Sequence, residues 1–507
     1  MKFLFNALKH SPEYMNLSRA VQAGALPGAV TGLSGIHKCL VMASLCRETG
    51  RKALVIAADE GEGQRFSQDL TALGLRVAQY PLRDFNFRDT AGASHEYEQL
   101  RIEALSSLQS GLCDCVVACM DAALQYTLGP EELSSRLFAL EAGARLSPEE
   151  LLGALVRCGY TREDQIEGTG QFSHRGGIVD FFSPSAREPV RVEFWGDEID
   201  SISFFDPQSQ RRTEPAGRVD LAPCVEVLPK NTGALIKKIE KLAASLRGKR
   251  APKAREVLEG EAQKLKDGLH LGSMDKFISL VYEKPATLFD YFPAETSLLF
   301  FSEGNKLKER MRTALWQWGE DVKAYLEEGL LCKGLDMFSE TWEYALSQAE
   351  RTPALFLDVF ARGSYEVPTR TLVNMTVRQF PVWGGGVELL MEDLSALLRE
   401  KRACVVLSGT RRAGEALAQD LKQAGLPAAY VESPSTCQKG TVTVTEGTLS
   451  AGFDLPNAQF SLLTHGRLGA VKQKKKEAGQ KQQRNFLPFR AFPRGLCSPR
   501  RPWHRHL

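Results

Sequence analysis

The chain has 507 residues, of which 43% are hydrophobic, 25% charged and 8% aromatic. That balance excludes global disorder, collagen and coiled coil, and at roughly 150 residues per domain it predicts about three or four domains. The net charge of +2 conceals an asymmetry: residues 471–507 hold eleven Lys or Arg against the single acid Glu477, a local +10 that leaves −8 for residues 1–470. Such a basic tail reads as a solvated linker before it reads as a nucleic-acid contact.

The longest apolar runs, at 297–302 and 403–407, fall far short of the roughly 20 residues of a membrane helix. Residues 1–10 lack the apolar core of a signal peptide, so a cytoplasmic location and no membrane partner are expected. Eleven cysteines without repeated spacing read as reduced thiols. Cys113, Cys115 and Cys119 lie on an alternating strand pattern with no second ligand pair at zinc spacing, which predicts buried thiols and no metal site.

In chain order, 52–58 is a buried strand centred on Leu54, Val55 and Ile56, 61–73 is a helix on an i, i+3, i+4 pattern, 95–109 is a second helix, and 113–119 is a strand. This alternation predicts an α/β domain with a parallel sheet. A boundary is expected near 128–148. Residues 170–206 differ in kind, because 177–182, 190–194 and 199–205 are short strands joined by tight glycine turns, as in an antiparallel α+β insertion. Helices follow over 233–268, and 297–301 reads as a strand returning to the first sheet. From Pro353 a second α/β unit begins. It has a strand at 403–407, a helix capped by Ser408 or Thr410 with Ala413, Leu417, Leu421 and Ala424 on one face and Gly425 at C′, and strands at 429–431 and 441–445.

The run Gly32-Leu33-Ser34-Gly35-Ile36-His37-Lys38-Cys39 nearly spells the phosphate loop G-x-x-x-x-G-K-[ST]. His37 stands where a glycine must let backbone N–H groups approach phosphate, and Cys39 replaces the hydroxyl that binds Mg²⁺. The strand at 297–301 ends in Ser302-Glu303, so the first carboxylate of the usual metal-binding Asp-Glu pair is also missing. These residues predict a degenerate, non-functional nucleotide site. Gly61-Glu62-Gly63 is half a dinucleotide fingerprint and reads as a helix start. His174 reads as a surface strand residue. No catalytic constellation emerges, so binding is favoured over catalysis.

The strongest pattern is Phe172-Ser-His-Arg175-Gly176-Gly177-Ile178-Val179-Asp180 followed by Pro189-Val-Arg191-Val-Glu193-Phe194-Trp195-Gly196-Asp197-Glu198-Ile199-Asp200-Ser201-Ile202. Here the sequence resembles the bacterial transcription-repair coupling factors, whose N-terminal third is similar to the UvrB subunit of the excision nuclease. The resemblance runs from about Gly24 to Lys476. It is supported by 204–210, Asp290-Tyr-Phe-Pro293, 447–453 and the basic run 472–476, and it weakens over 304–352.

The resemblance implies a UvrB-like degenerate P-loop α/β domain split into 1–128 and 208–335, an inserted UvrA-binding α+β domain at 129–207, and a separate second α/β domain at 345–467. Residues 468–507 would be a basic linker and tail. Arg175, Arg191 and Trp195 match the family positions that touch UvrA, and Arg191, Glu193 and Trp195 share one face of a strand in any case. The family releases stalled RNA polymerase with ATP and recruits excision repair. The resemblance implies that RNA polymerase, DNA, ATP and Mg²⁺ are engaged by domains beyond the matched region, and that this chain keeps the UvrA-recruiting half without a cofactor or enzymatic activity of its own. A helicase-like enzyme and a direct DNA-binding module are the competing classes.

The tail departs from the family near Arg484. Read one base later, a permitted back-translation of 493–507 becomes Pro-Gly-Asp-Tyr-Val-Val-His-Glu-Asp-His-Gly-Ile-Gly-Ile, which resembles the start of the family's polymerase-interacting domain. A frameshift near 482–485 is therefore expected, with a disordered tail whose charge is not a DNA site.

Overall fold

The computed structural model describes residues 1–88, 94–383 and 387–464. The expected linker and tail lie outside the described residues. Two short helices, Lys2–Leu8 (α1) and Pro12–Gln22 (α2), precede the strand Gly28–Thr31 (β1). The helix Gly35–Thr49 (α3), the strand Lys52–Ala57 (β2), the helix Glu60–Ala72 (α4), the strand Val77–Tyr80 (β3), the helix Glu96–Gln109 (α5) and the strand Cys115–Cys119 (β4) complete the alternation expected from the sequence. The described cysteines are free thiols, and those at 113, 115 and 119 are buried.

The inserted segment contributes Phe138–Glu141 (β5), Thr161–Arg162 (β6), Gln171–Arg175 (β7), Ile178–Phe181 (β8), Val190–Trp195 (β9), Glu198–Phe205 (β10), Arg212–Pro215 (β11) and Arg218–Leu221 (β12). Six of these form one sheet in the order β11-β10-β9-β8-β7-β6, antiparallel except for the β6–β7 pair, while β5 and β12 pair across the neck. The sheet structure runs on to Leu221, past the boundary expected at 207. The reason is that β11, Arg-Thr-Glu-Pro, has no apolar residue and is exposed throughout, so it shows no period-2 signal.

Beyond the insertion come Ser297–Ser302 (β13), Ala354–Leu357 (β14) and Thr371–Asn374 (β15). They join β1 to β4 in a seven-stranded sheet, β15-β1-β14-β13-β2-β4-β3, in which each recorded pairing is parallel. The sequence placed 354–374 in the second α/β unit from 345 onward. Instead Ala354-Leu355-Phe356-Leu357, buried at every position, fills the slot between β1 and β13, where a parallel strand is covered on both faces.

The second sheet starts at Arg378–Phe380 (β16) and continues with Ala403–Ser408 (β17), Ala428–Tyr430 (β18), Val442–Glu446 (β19), Gly452–Leu455 (β20) and Phe460–Thr464 (β21), in the order β16-β20-β21-β17-β19-β18. The helix after β17 is capped by Thr410, whose side chain accepts from the Ala413 N–H. Ser408 instead ends the strand. The two sheets share a core: Leu40 and Val41 of α3 and Phe66 of α4 belong to one buried cluster with Val405, Phe453 and Leu462. The Asp69 carboxylate seals the seam by accepting from the Ser450 N–H at 2.8 Å and its hydroxyl at 2.5 Å.

The neck of the insertion passes through a buried ionic hub. Arg101 pairs with Glu226 at 2.7 Å, and both side chains are fully buried. Arg83, itself 3% exposed, reaches Glu226 at 3.1 Å, Asp275 at 3.1 Å and Glu98 at 3.4 Å. Gln125 on the segment entering the insertion accepts from Arg101, and the Glu226 N–H on the segment leaving it donates to Glu98 at 2.6 Å. His95 caps the hub, with Nδ1 2.8 Å from Glu98.

That hydrogen bond raises the pKa of His95 above its ordinary 6.5, against the effect of its partial burial. A raised histidine stabilises the fold fully below about pH 6.5 and ceases to do so as pH rises through its folded-state value. Urea unfolding followed across that range is expected to show stability falling toward alkaline pH, and His95→Gln is expected to flatten the fall. An unchanged profile in the variant would exclude His95 as the cause.

Candidate functional site

Two places carry chemistry, the loop after β1 and the outer face of the inserted sheet. At the first, Gly32 adopts φ +83°, and a Cβ there would stand 2.2 Å from the Met375 carbonyl oxygen. This glycine is needed for close approach of backbone to backbone. Its N–H donates to the Val359 carbonyl at 3.1 Å, and the Leu33 N–H donates to Asp358 at 3.4 Å.

The side chains behind that loop are also committed. Lys38 is 1% exposed. Its ammonium donates to the Ser302 hydroxyl at 2.9 Å and to Glu303 Oε1 at 2.5 Å, with Glu62 3.7 Å away. Glu303 Oε1 accepts a second bond from the Val359 N–H at 3.0 Å, and Glu303 itself sits at φ +53° in the left-handed region. A carboxylate of the chain thus occupies the role an anionic ligand would take against Lys38. Strain of this kind persists only where surrounding contacts over-determine it.

His37 and Cys39 are buried. The His37 Nδ1 lies 2.6 Å from the Ser34 hydroxyl, and its ring meets Phe453 of β20 edge-on at 5.3 Å. Burial pushes its pKa down to about 4 and pushes the Cys39 thiol up. The histidine that displaces a phosphate-loop glycine is therefore a neutral packing element between the two sheets. Among the described residues, no group of three or more His, Cys, Asp or Glu is placed to hold a metal.

At the second place, the register sets the geometry. Asp180 stands opposite Arg191, and Ile178 is opposite both Arg175 and Glu193. Paired residues of antiparallel strands share a face. Arg175 on β7 and Arg191, Glu193 and Trp195 on β9 therefore all point away from the core of Val179, Val190, Val192 and Ile202.

Exposure divides the three residues singled out from the sequence. Trp195, beside the turn at Gly196, is 84% exposed. Arg175 is exposed and donates to the Asp164 carbonyl. Arg191 is only 18% exposed, forked onto Asp180 by Nε and Nη2 at 2.8 Å each, with its guanidinium over the Phe205 ring at 4.8 Å. His174 donates from Nε2 to the Gly176 carbonyl at 2.7 Å. The sequence reading missed Asp180 and Phe205, since only the cross-strand register reveals that both hold Arg191.

A mixed α/β chain with a parallel first sheet and an inserted antiparallel sheet is thus defined, and residues 138–226 match the UvrB interaction domain family. Over nearly its whole length the chain is similar to transcription-repair-coupling factors. It is 28% identical to that of Bacillus subtilis over 484 residues, 94% of this chain and 41% of the relative. It is 23% identical to that of Staphylococcus epidermidis RP62A over 475 residues, 91% of this chain and 40% of the relative. The Staphylococcus aureus NCTC 8325 protein is 22% identical over 503 residues, covering 97% and 42% respectively. The chain thus spans about two-fifths of the length of the curated relatives it matches. No described helix is long and apolar enough to cross a membrane.

Proposed function

We propose that this chain serves transcription-coupled excision repair as a non-catalytic recruiting module that binds UvrA through the outer face of its inserted sheet. The observation that carries this reading is the pairing of a Trp195 ring 84% open to solvent with two arginines on one face, the composition of an interface hot spot. In this reading the chain binds neither ATP nor Mg²⁺, because Glu303 and the carbonyls of 358–359 already satisfy the groups that would hold phosphate. Contacts with RNA polymerase and DNA, and ATP-driven movement, belong to other parts of the longer family proteins.

Affinity for purified UvrA tests the proposal. Trp195→Ala and Arg191→Ala are each expected to weaken binding by at least about 1–2 kcal/mol, the scale of hot-spot truncation. Trp195→Ala is expected to do so without loss of stability, since the ring covers little. Unchanged affinity in both variants would remove the site.

A further inference from the structure

We propose that Asp180 is a positioning residue for partner binding, holding Arg191 in the one orientation in which it can be read on the outer face beside Trp195. The inference rests on the UvrA-binding reading above and names what makes that face work. Of the five N–H donors of a guanidinium, Asp180 takes two, from Nε and Nη2 at 2.8 Å each, and the Gln210 carbonyl takes a third from Nη1 at 3.4 Å. The remaining two are left for an acceptor on the partner, a carbonyl or a carboxylate oxygen.

Three strands combine to fix the group. Asp180 lies on β8, Arg191 on β9 and the supporting Phe205 on β10, while Gln210 presents its carbonyl from a left-handed turn residue at φ +58°. Asp180 is 6% exposed, so it is out of reach of a docking protein and acts only through Arg191. An unrestrained arginine samples many rotamers, and ordering it at the moment of binding lowers affinity. A bidentate carboxylate removes that freedom beforehand. Arg191 and Trp195 stand four residues apart on one strand, about 13 Å, so a fixed guanidinium and a solvent-open ring form a two-point template.

The neighbouring pair follows the same logic. Glu193, next outward on β9, accepts from the Ser201 hydroxyl at 2.9 Å and from Arg212. Arg191 and Arg212 on this face therefore each have a carboxylate behind them, while Arg175 is held by the Asp164 carbonyl.

The test measures UvrA affinity and urea stability of the full chain for Asp180→Asn, for the exchange of both partners (D180R with R191D), and for Trp195→Ala. Asp180→Asn is expected to weaken binding about tenfold, toward the effect of Arg191→Ala. The exchange rebuilds the ion pair and is expected to recover stability while binding stays at least about tenfold weaker. A purely structural role for the pair predicts the opposite, that recovered stability brings recovered affinity, and that result overturns the proposal. Wild-type affinity in Asp180→Asn overturns it equally. Should Asp180→Asn fail to fold, the exchange alone decides. If Trp195→Ala and Arg191→Ala also bind as wild type, the failure lies in the choice of face and not in the role of Asp180.

Discussion

Glu226→Ala is expected to destabilise the protein by about 3–5 kcal/mol, the cost of removing one partner from a buried ion pair. Glu226 has no exposed surface and answers two arginines, Arg101 at 2.7 Å and Arg83 at 3.1 Å. Arg101 has no other carboxylate within salt-bridge distance among the described pairs, and its remaining contacts are the Gln125 amide oxygen, the Tyr126 carbonyl and the Tyr80 ring. Without Glu226 its charge is stranded in the core. Arg83 keeps Asp275 and Glu98, so the damage falls mainly on Arg101. Exposed pairs such as Arg88–Glu328, with side chains 55% and 48% exposed, should by contrast give no more than about 1 kcal/mol when broken. Urea denaturation of Glu226→Ala and Glu328→Ala side by side checks the contrast, and a comparable small loss in both would refute the hub's role at the neck.

None of that hub is visible in the sequence. Arg83, Arg101, Glu98 and Glu226 have the composition of surface residues, and only their convergence from three separate segments lets them be buried. The elements that could be read were those whose signal is local. Leu54-Val55-Ile56 and Ala403-Cys404-Val405-Val406-Leu407 are continuous apolar runs, and both are central strands buried throughout all these positions. Gly425, expected at C′ of its helix, adopts φ +83°. Pairing is not local, so β14, at the point where the second α/β unit was expected to begin, carried no sign that it belongs to the first sheet.

The phosphate-like loop shows the same division. What it lacks can be read at His37 and Cys39 alone. What fills it comes from Ser302 and Glu303, more than 260 residues away, and from Asp358 and Val359. On the inserted sheet, the alternation of Arg191, Glu193 and Trp195 gave their common face. The partner that ties Arg191 down required the register of β8.

The second large effect is expected from restoring the phosphate-loop residues, His37→Gly with Cys39→Thr. Nucleotide binding should not appear. Lys38 remains held by Glu303, and the N–H groups of Gly32 and Leu33 remain bonded to the chain. Stability should instead fall by about 3 kcal/mol or more. Deleting the imidazole empties the space against Phe453, where ring deletions cost about 3–5 kcal/mol for larger aromatics, and a glycine in the helix adds roughly 1 kcal/mol. Threonine at 39 places a hydroxyl where Cys39 is fully buried, at a further cost of about 1–3 kcal/mol if it stays unpaired. The loss should also change the acid limb of stability. His37 titrates near 4 in the fold against 6.5 when unfolded, so the unfolded chain binds the proton first and stability falls as pH drops from 6.5 toward 4. The effect is opposite in sign to that of His95, and the double variant should lose this part of the slope while keeping the alkaline one. Calorimetric titration with ATP and urea unfolding at several pH values measure both. Saturable ATP binding would show that Glu303 and the backbone of 358–359 do not close this site, and an acid limb as steep as that of the wild type would exclude His37 as its cause.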